Sequence, residues 1–577
     1  MLYFQWPDYV MFAFMLAISA LIGIYFGCFG SRQKSVAEYL LGGRNMNILP
    51  VATSLIASHI SAVTLLGVPS EIYTYGTQYW MVCLSSIFVG VIVCWIYMPV
   101  FYKLQVNSIF EYLENRFNSS VRLMASVLFF ISLILYVPIV VYLPALAFSQ
   151  VSGVSIHAIT PLVSCVCIFY TMLGGLKAVV WTDFVQQITL MGASIIVIVL
   201  GLIKVGGFTN MWNINLEGDR IEFFNMDPSP FSRLTFLTTV VGTTFTWLAS
   251  CGTNQSMVQR FLAVPSLSAA RWTMIIFTIG MIICKSLSCF TGLLIHAYYH
   301  DCDPTSVKAI TRQDQLLPYY VMDIAGNYPG LPGLFVAGVF SAALSTMSTC
   351  LNTLSGTIFE DFLSLCLPCR IREKYASLIM KITVLVLGIL CVAMAFVVEK
   401  LGSVIQMTVS LGSITYGAQL GLFTLGMLFP MANSKGAFVG SLASLAVMGT
   451  MVIGEQTAVA AGQLTYPKKP MSVEGCSLMG VNTTQMFSQG VNSTVVPTQE
   501  PFILFRISFM YLNMIGCFIV LIVGVVVSYI TGAKDLRDVD RDLISPVLHR
   551  WLPERSKPQE FDKATVQPLM LFKDIKH

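Results

Sequence analysis

Two stretches far apart in the chain hold the residues best suited to chemistry: Ala57-Ser58-His59-Ile60-Ser61-Ala62-Val63-Thr64 and Ser341-Ala342-Ala343-Leu344-Ser345-Thr346-Met347-Ser348-Thr349. Both set small and hydroxyl residues inside apolar segments of membrane-crossing length. A hydroxyl in hydrocarbon needs a partner, so such clusters pack against another helix, bond their own backbone or line a wet cavity. Ala342, Ser345 and Thr346 stand at i, i+3 and i+4, one face of a helix, where a carbonyl and two hydroxyl oxygens can converge. The first stretch offers the carbonyls of Ala57 and Ile60, near Gly67 and Pro69, residues that let a helix break and release carbonyls from its ladder. Together these oxygens can form a cage for a small hard cation, and Na⁺ is the obvious candidate.

The elements that position them must lie in a bilayer. The chain has 577 residues, 56% of them hydrophobic and 11% charged, with a mean hydropathy of +0.75, far too apolar for a soluble protein of this length. The expected fold class is an all-α polytopic membrane protein. Apolar runs of crossing length predict about thirteen spans, near 9–27, 48–70, 79–101, 124–148, 157–173, 184–205, 237–259, 273–297, 332–357, 378–397, 403–430, 436–457 and 504–530.

Basic residues give the orientation. The loops 28–47, 102–123, 174–183, 260–272, 358–377 and 431–435, with the tail 531–577, hold about twenty-two Lys and Arg against about seven in the alternate loops. The N-terminus is therefore expected outside and the C-terminus inside, and nothing basic precedes the first span as it would in a cleavable signal peptide. The net charge of +4 follows from the inside bias and implies no nucleic acid partner. The 458–503 loop carries sequons at Asn482 and Asn492, on the expected outer side, whereas a third at Asn118 falls inside and should stay unmodified. Cys302 and Cys476 are the two cysteines placed firmly outside and can pair if they meet. Cys366 and Cys369 make a lone C-x-x-C, which argues against a transition-metal site. The tail reads as a largely flexible extension.

The second and seventh spans share an oddity, since 53-TSLIASHISAVTLLGVPS-70 and 242-GTTFTWLASCGTNQSMVQR-260 are apolar runs interrupted by small and polar residues. Their starts lie five spans apart, and an odd number of crossings reverses direction. That pattern fits two inverted five-helix repeats, about 48–205 and 237–430, each opening with a broken helix, although two ordinary packing faces would read the same way. Nucleotide-binding and hydrolase signatures are absent from the sequence, so neither an enzyme nor an ATP-driven pump is expected, and energy must come from an ion gradient.

These residues resemble the sodium/solute symporter family. The resemblance runs through 39-YLLGGRNM-46, 68-VPSEIYTYG-76, 98-MPVFYKL-104, 110-FEYLENRF-117, 174-GGLKAVVWTDFVQ-186, 252-GTNQSMVQRFL-262, 300-HDCDP-304, 313-QDQLLPYYVMDI-324, 330-GLPGLFVAGVFSAALSTMS-348 and 424-TLGMLFP-430. It is strongest to the branch with the sodium-coupled monocarboxylate, sodium-dependent multivitamin and sodium/iodide symporters. The resemblance implies a thirteen-helix LeuT-type fold with 5+5 inverted repeats spanning 1–530, alternating access, Na⁺ as coupling ion and no organic cofactor. It implies a sodium site on the carbonyls of Ala57, Ile60 and Ala342 and the hydroxyls of Ser345 and Thr346, with Asp183 nearby.

Substrate residues follow less directly. Thr64 stands where the iodide symporter pattern has Gln and the glucose cotransporter pattern His, which favours a small organic anion. His59 either contacts substrate, responds to pH or forms a neutral bond between helices. Asn254 and Gln255 in the second broken helix, with Gln406 and Gln419 in the eleventh span, are candidate donors to a carboxylate. Lys285, a lone intramembrane cation, either holds substrate charge, snorkels or pairs with another helix. Arg260 is expected to close the cytoplasmic side against an acidic loop residue. The functional expectation is sodium-coupled import of a monocarboxylate at the plasma membrane. A vitamin such as biotin or pantothenate, iodide or an uncharged solute is the alternative cargo, and a non-transporting sensor or leak the alternative class.

Overall fold

Long apolar runs with few turn residues become helices, and the computed structural model has no strand among its described residues, which are 4–29, 42–106, 108–310, 312–363, 369–398, 404–479, 501–537 and 539–553. In chain order the helices begin with α1 (Trp6–Ile24), α2 (Ile48–His59), α3 (Ala62–Tyr75), α4 (Val82–Ile92), α5 (Met98–Leu104) and α6 (Ile109–Arg116). They continue with α7 (Ser119–Ser152), α8 (Ile156–Val205), α9 (Phe208–Glu217), α10 (Thr243–Gly252), α11 (Gln255–Phe261) and α12 (Leu267–Tyr298). The series ends with α13 (Leu316–Ala325), α14 (Leu331–Thr357), α15 (Cys369–Val398), α16 (Val404–Leu428), α17 (Ser434–Ala460) and α18 (Leu512–Ile530).

Among the described residues nine helices are long and apolar enough to cross a membrane, or ten with the bent pair α2–α3 taken as one. The sequence divides 157–205 into two spans, yet the chain there is one 50-residue helical run, α8, interrupted only at Gly175 (φ 53°, ψ −153°). At 1.5 Å per residue such a run measures about 75 Å, more than twice the hydrocarbon thickness, so Gly175 must separate two crossing-length arms. A positive φ with that ψ is open to glycine alone, which is why the turn needs no loop.

Both broken helices are present. Helix α2 ends when Ile60 leaves helical geometry, Ser61 is extended, and α3 restarts at 57° to it. The break lies at Ile60–Ser61 and not at Gly67 or Pro69, which continue α3. Pro69 removes only one ladder bond, whereas Ser61 opens a new first turn in which its carbonyl accepts from Thr64 and Leu65 N–H. Gly292 lets α12 press on this segment, since a Cβ there would stand 2.7 Å from the Pro69 carbonyl. The second break falls at Thr253–Asn254, where the Asn254 side chain caps α11 by accepting from Ser256 N–H at 2.9 Å.

Helix α14 is buried along almost its whole length and packs against α1, α2, α7, α8 and α15, so its hydroxyl stretch stands at the centre of the bundle. The loops sort into two faces. On one, Cys302 and Cys476 are disulfide-bonded, Arg220 donates to the Tyr73 and Pro470 carbonyls, and Lys469 N–H bonds the Thr74 carbonyl. On the other, Arg116 donates to the carbonyls of Gly426, Phe429, Pro430 and Ala432, and Ser108 bonds Asp361. The tail is less loose than its composition implies. Leu543 and Ile544 are buried, Ser545 N–H bonds the Met427 carbonyl, and Lys103 pairs with Asp542. Its few apolar residues suffice to dock residues 539–548 on that second face. Residues 554–577 lie outside the described chain.

Candidate functional site

Breaking α2 at Ile60 leaves the last carbonyls of the helix, those of Ala57 and Ser58 among them, without the N–H partners a further turn would supply. Helix α14 stands against that end. The Thr346 hydroxyl is 3.0 Å from the Ala342 carbonyl one turn back and 3.2 Å from the Ser58 carbonyl across the interface. Ser345 Oγ lies 3.4 Å from Ser58 Oγ, which is 3.0 Å from Thr349 Oγ1. Ala57, Ile60, Ala342, Ser345 and Thr346 are all buried. A hydroxyl that donates to its own i−4 carbonyl keeps its lone pairs for a cation, so this face supplies oxygen ligands without leaving the donor unmet.

Charge stands directly behind the hydroxyls. Asp183, fully buried on α8, accepts at Oδ2 from Ser54 Oγ (2.7 Å) and from Arg260 Nη2 (3.2 Å), while its Oδ1 is buried with no hydrogen-bond partner. An orphaned carboxylate oxygen in hydrocarbon is costly, and a bound cation is one remedy. Arg260 on α11 also donates to the Ser54 carbonyl, Ser58 Oγ and Thr349 Oγ1. Its partner is therefore not an acidic loop residue but Asp183, buried on α8.

Beside this cluster, between the two helix breaks, is a cavity of about 210 Å³. Ser58, His59, Thr64, Ser250, Asn254 and Thr346 line it together with Tyr136, Trp247 and Tyr416, and it has no Asp, Glu, Lys or Arg among the described residues. His59 bridges two helices. Its Nδ1 is 3.1 Å from the Leu55 carbonyl and therefore carries the proton, leaving Nε2, 3.1 Å from Ser250 Oγ, to accept. Asn254 spends its side-chain oxygen on capping α11, so what it offers a solute is its amide N–H.

Residues 39–444 match the sodium:solute symporter family. The chain belongs to that family. It is 40% identical over 535 residues to sodium-coupled monocarboxylate transporter 1 of Homo sapiens, covering 91% of this chain and 87% of the relative. Sodium-coupled monocarboxylate transporter 2 of Mus musculus is 38% identical over 544 residues (94% and 87%). A Drosophila melanogaster relative named for sodium-dependent multivitamin transport is 38% identical over 572 residues (96% and 93%). Among solved structures, a Na⁺-coupled sialic acid symporter in a substrate-bound outward-open state has a TM-score of 0.75 at 25% identity, with 92% of this chain and 99% of that one covered. A nucleobase-cation-symport-1 family transporter shares the fold at a TM-score of 0.51 and 12% identity, over 72% and 90%. The architecture is a LeuT-like transporter fold.

Within this symporter several sequence candidates stand away from the cavity. Gln255 is buried with its side-chain oxygen accepting from Ile109 N–H at 2.7 Å, so it anchors α6. Gln419 donates to the Thr253 carbonyl at 2.9 Å and satisfies the broken backbone. Lys285 donates to Ser86 Oγ and sits 3.8 Å from the centroid of the Trp247 ring, which separates it from the cavity. In each case a backbone group or ring needed the polar atom more than a solute did. The Gln406 side chain, Asn482 and Asn492 lie outside the described residues. Sequence reasoning passed over Ser58 and Thr349 as site residues, although Thr349 continues the 342–345–346 face by one turn. Tyr136 and Tyr416 gave no signal at all, being lone aromatics in apolar helices.

Proposed function

We propose that this symporter imports a small organic monocarboxylate with Na⁺ by alternating access at the plasma membrane. The observation that carries the reading is the convergence of Ser58, Ser345 and Thr346 oxygens at the α2 break, next to a cavity of neutral donors. In this reading the carbonyls of Ala57, Ile60 and Ala342 complete the sodium cage. Na⁺ bound there ties α2 to α14 and favours the outward-open state, which lowers the cost of binding the anion. Thr64 and Asn254 are the polar groups that donate to it, His59 lines the cavity beside them with its ring nitrogens engaged by Leu55 and Ser250, and Gln406 remains a candidate. Rocking inward then exposes both solutes to a cytosol poor in Na⁺. Each net charge carried inward gains about 2.3 kcal/mol per 100 mV, so one Na⁺ with one monoanion is electrically silent and a current requires a second sodium.

The topology belongs to the same proposal. The two arms of α8, the bent pair α2–α3, the α10–α11 pair and α16 bring the crossings to thirteen. The N-terminus is outside, the tail inside, and the inverted repeats cover about 48–205 and 237–430. The segregation of loop contacts onto two faces supports this, and so does the Cys302–Cys476 bond within the proposed outer set. The identity to the multivitamin relative favours a second cargo, a vitamin carboxylate such as biotin or pantothenate. Uptake of labelled lactate, pyruvate, biotin, pantothenate and iodide in Na⁺ and in choline buffer separates these. Sodium-dependent uptake of one carboxylate supports the proposal. None from protein proven to be at the surface refutes it and favours a sensor.

A further inference from the structure

Away from the central cavity, the outer end of α3 carries a buried ion pair that the transport reading leaves unused. Arg233, in the segment between α9 and α10, donates through Nε and Nη2 to the two carboxylate oxygens of Glu71 at 2.8 and 3.0 Å, and both side chains are less than a tenth exposed. Its guanidinium lies 4.4 Å from the ring centroid of Tyr75, 5.1 Å from that of Phe509 and 5.2 Å from that of Tyr466. The pair borders a recess of about 250 Å³ reached by Gly67, Ser70, Tyr75 and Tyr466. A second recess of about 500 Å³ shares Tyr75, Arg233 and Tyr466 with it. Gly67 lines the outer recess and Val68 lines the central cavity, so adjacent residues of one half-helix face the two spaces.

A guanidinium fork binds any carboxylate in the same bidentate geometry, and an incoming organic acid can therefore take the place of the Glu71 side chain. The rings of Tyr75 and Tyr466, which line both recesses, supply an apolar wall for the rest of the acid. We propose that Arg233 is an entry subsite for a monocarboxylate, which displaces Glu71 and so releases the outer end of α3. The choice of ligand and the outer, entry-side placement rest on the transport reading and topology proposed above; the subsite itself rests on the pair and its recess.

The test compares lactate KM in cells expressing the wild type, Glu71→Gln and Arg233→Gln. An entry subsite predicts opposite shifts. KM falls about threefold when Glu71 no longer competes and rises about tenfold or more when the fork is lost. Shifts in the same direction would mean a mere strut and overturn the proposal. A second measurement needs neither variant. In Ser70→Cys, lactate in sodium-free buffer should slow modification by a membrane-impermeant thiol reagent at least twofold, and an unchanged rate overturns the subsite. Protection without sodium-driven uptake leaves the subsite standing and removes the transport reading, while uptake without protection does the reverse.

Discussion

Replacing Thr346 by Val removes one oxygen from the proposed cage while keeping the shape of the side chain. In the wild type that hydroxyl bonds the Ala342 and Ser58 carbonyls, and its loss leaves the freed Ser58 carbonyl unmet, which costs the fold about 1–3 kcal/mol. The effect on sodium is read separately, as a shift in sodium dependence at equal surface density. An interaction with a charged partner contributes about 1.5–3 kcal/mol, and about 1.4 kcal/mol is a factor of ten in affinity. The Na⁺ concentration for half-maximal uptake should therefore rise between about tenfold and about a hundredfold. Thr346→Ser, which keeps the oxygen, should stay within about threefold of the wild type. The assay is carboxylate uptake against Na⁺ concentration, normalised to surface-biotinylated protein. An unchanged sodium dependence in Thr346→Val at normal surface density would refute the cage, because no other role for this hydroxyl predicts a sodium-specific effect of that size.

Further outcomes follow from the buried charges and the loops. Arg260→Gln leaves Asp183 unpaired and should cost about 3–5 kcal/mol, seen as a large loss of surface protein. The double variant with Asp183→Asn should recover much of it, and equal loss in both would show that the pair does not hold the fold. Burial, reinforced by Glu360 and opposed by Arg122, pushes the Glu111 carboxyl up to about 7. A raised carboxyl stabilises the folded state fully below its unfolded value and loses that contribution as pH climbs through the folded one. Relative to Glu111→Gln, wild-type thermal stability should therefore decline from about pH 4.5 to about pH 7, by at most about 3 kcal/mol. Parallel pH profiles would contradict this. Cys302 and Cys476 close a loop of sequence separation 174, and chain entropy sets a ceiling of about 5 kcal/mol on what that link contributes. Cys302→Ser should lower the unfolding temperature, and an unchanged midpoint would show that the outer loops hold without it.

The bundle was legible because its signals are collective. Apolar length, charge asymmetry and the repeated interruption of two spans each involve many residues, and they agree on an all-helical transporter. The α14 face was legible because 342, 345 and 346 fall on one side of any helix. The position of the first break was not. Pro69 and Gly67 are strong local marks, yet the chain turns at Ile60–Ser61, where tertiary contact with α14 satisfies the freed Ser58 carbonyl. Arg260 misled because its place near a span end says cytoplasm, while its side chain is buried against Asp183. Gln255, Gln419 and Lys285 are polar residues in the right helices. Only coordinates reveal that a backbone N–H, a backbone carbonyl and the Ser86 hydroxyl with the Trp247 ring, respectively, already hold them.

If cage and cavity act as one, sodium and carboxylate must cross together, and purified protein in liposomes reveals whether they do. With an inward Na⁺ gradient as the only driving force, labelled lactate should accumulate inside above its external concentration, and a sodium ionophore should collapse that accumulation. Lactate that merely equilibrates, at the same rate with and without Na⁺, would contradict the account.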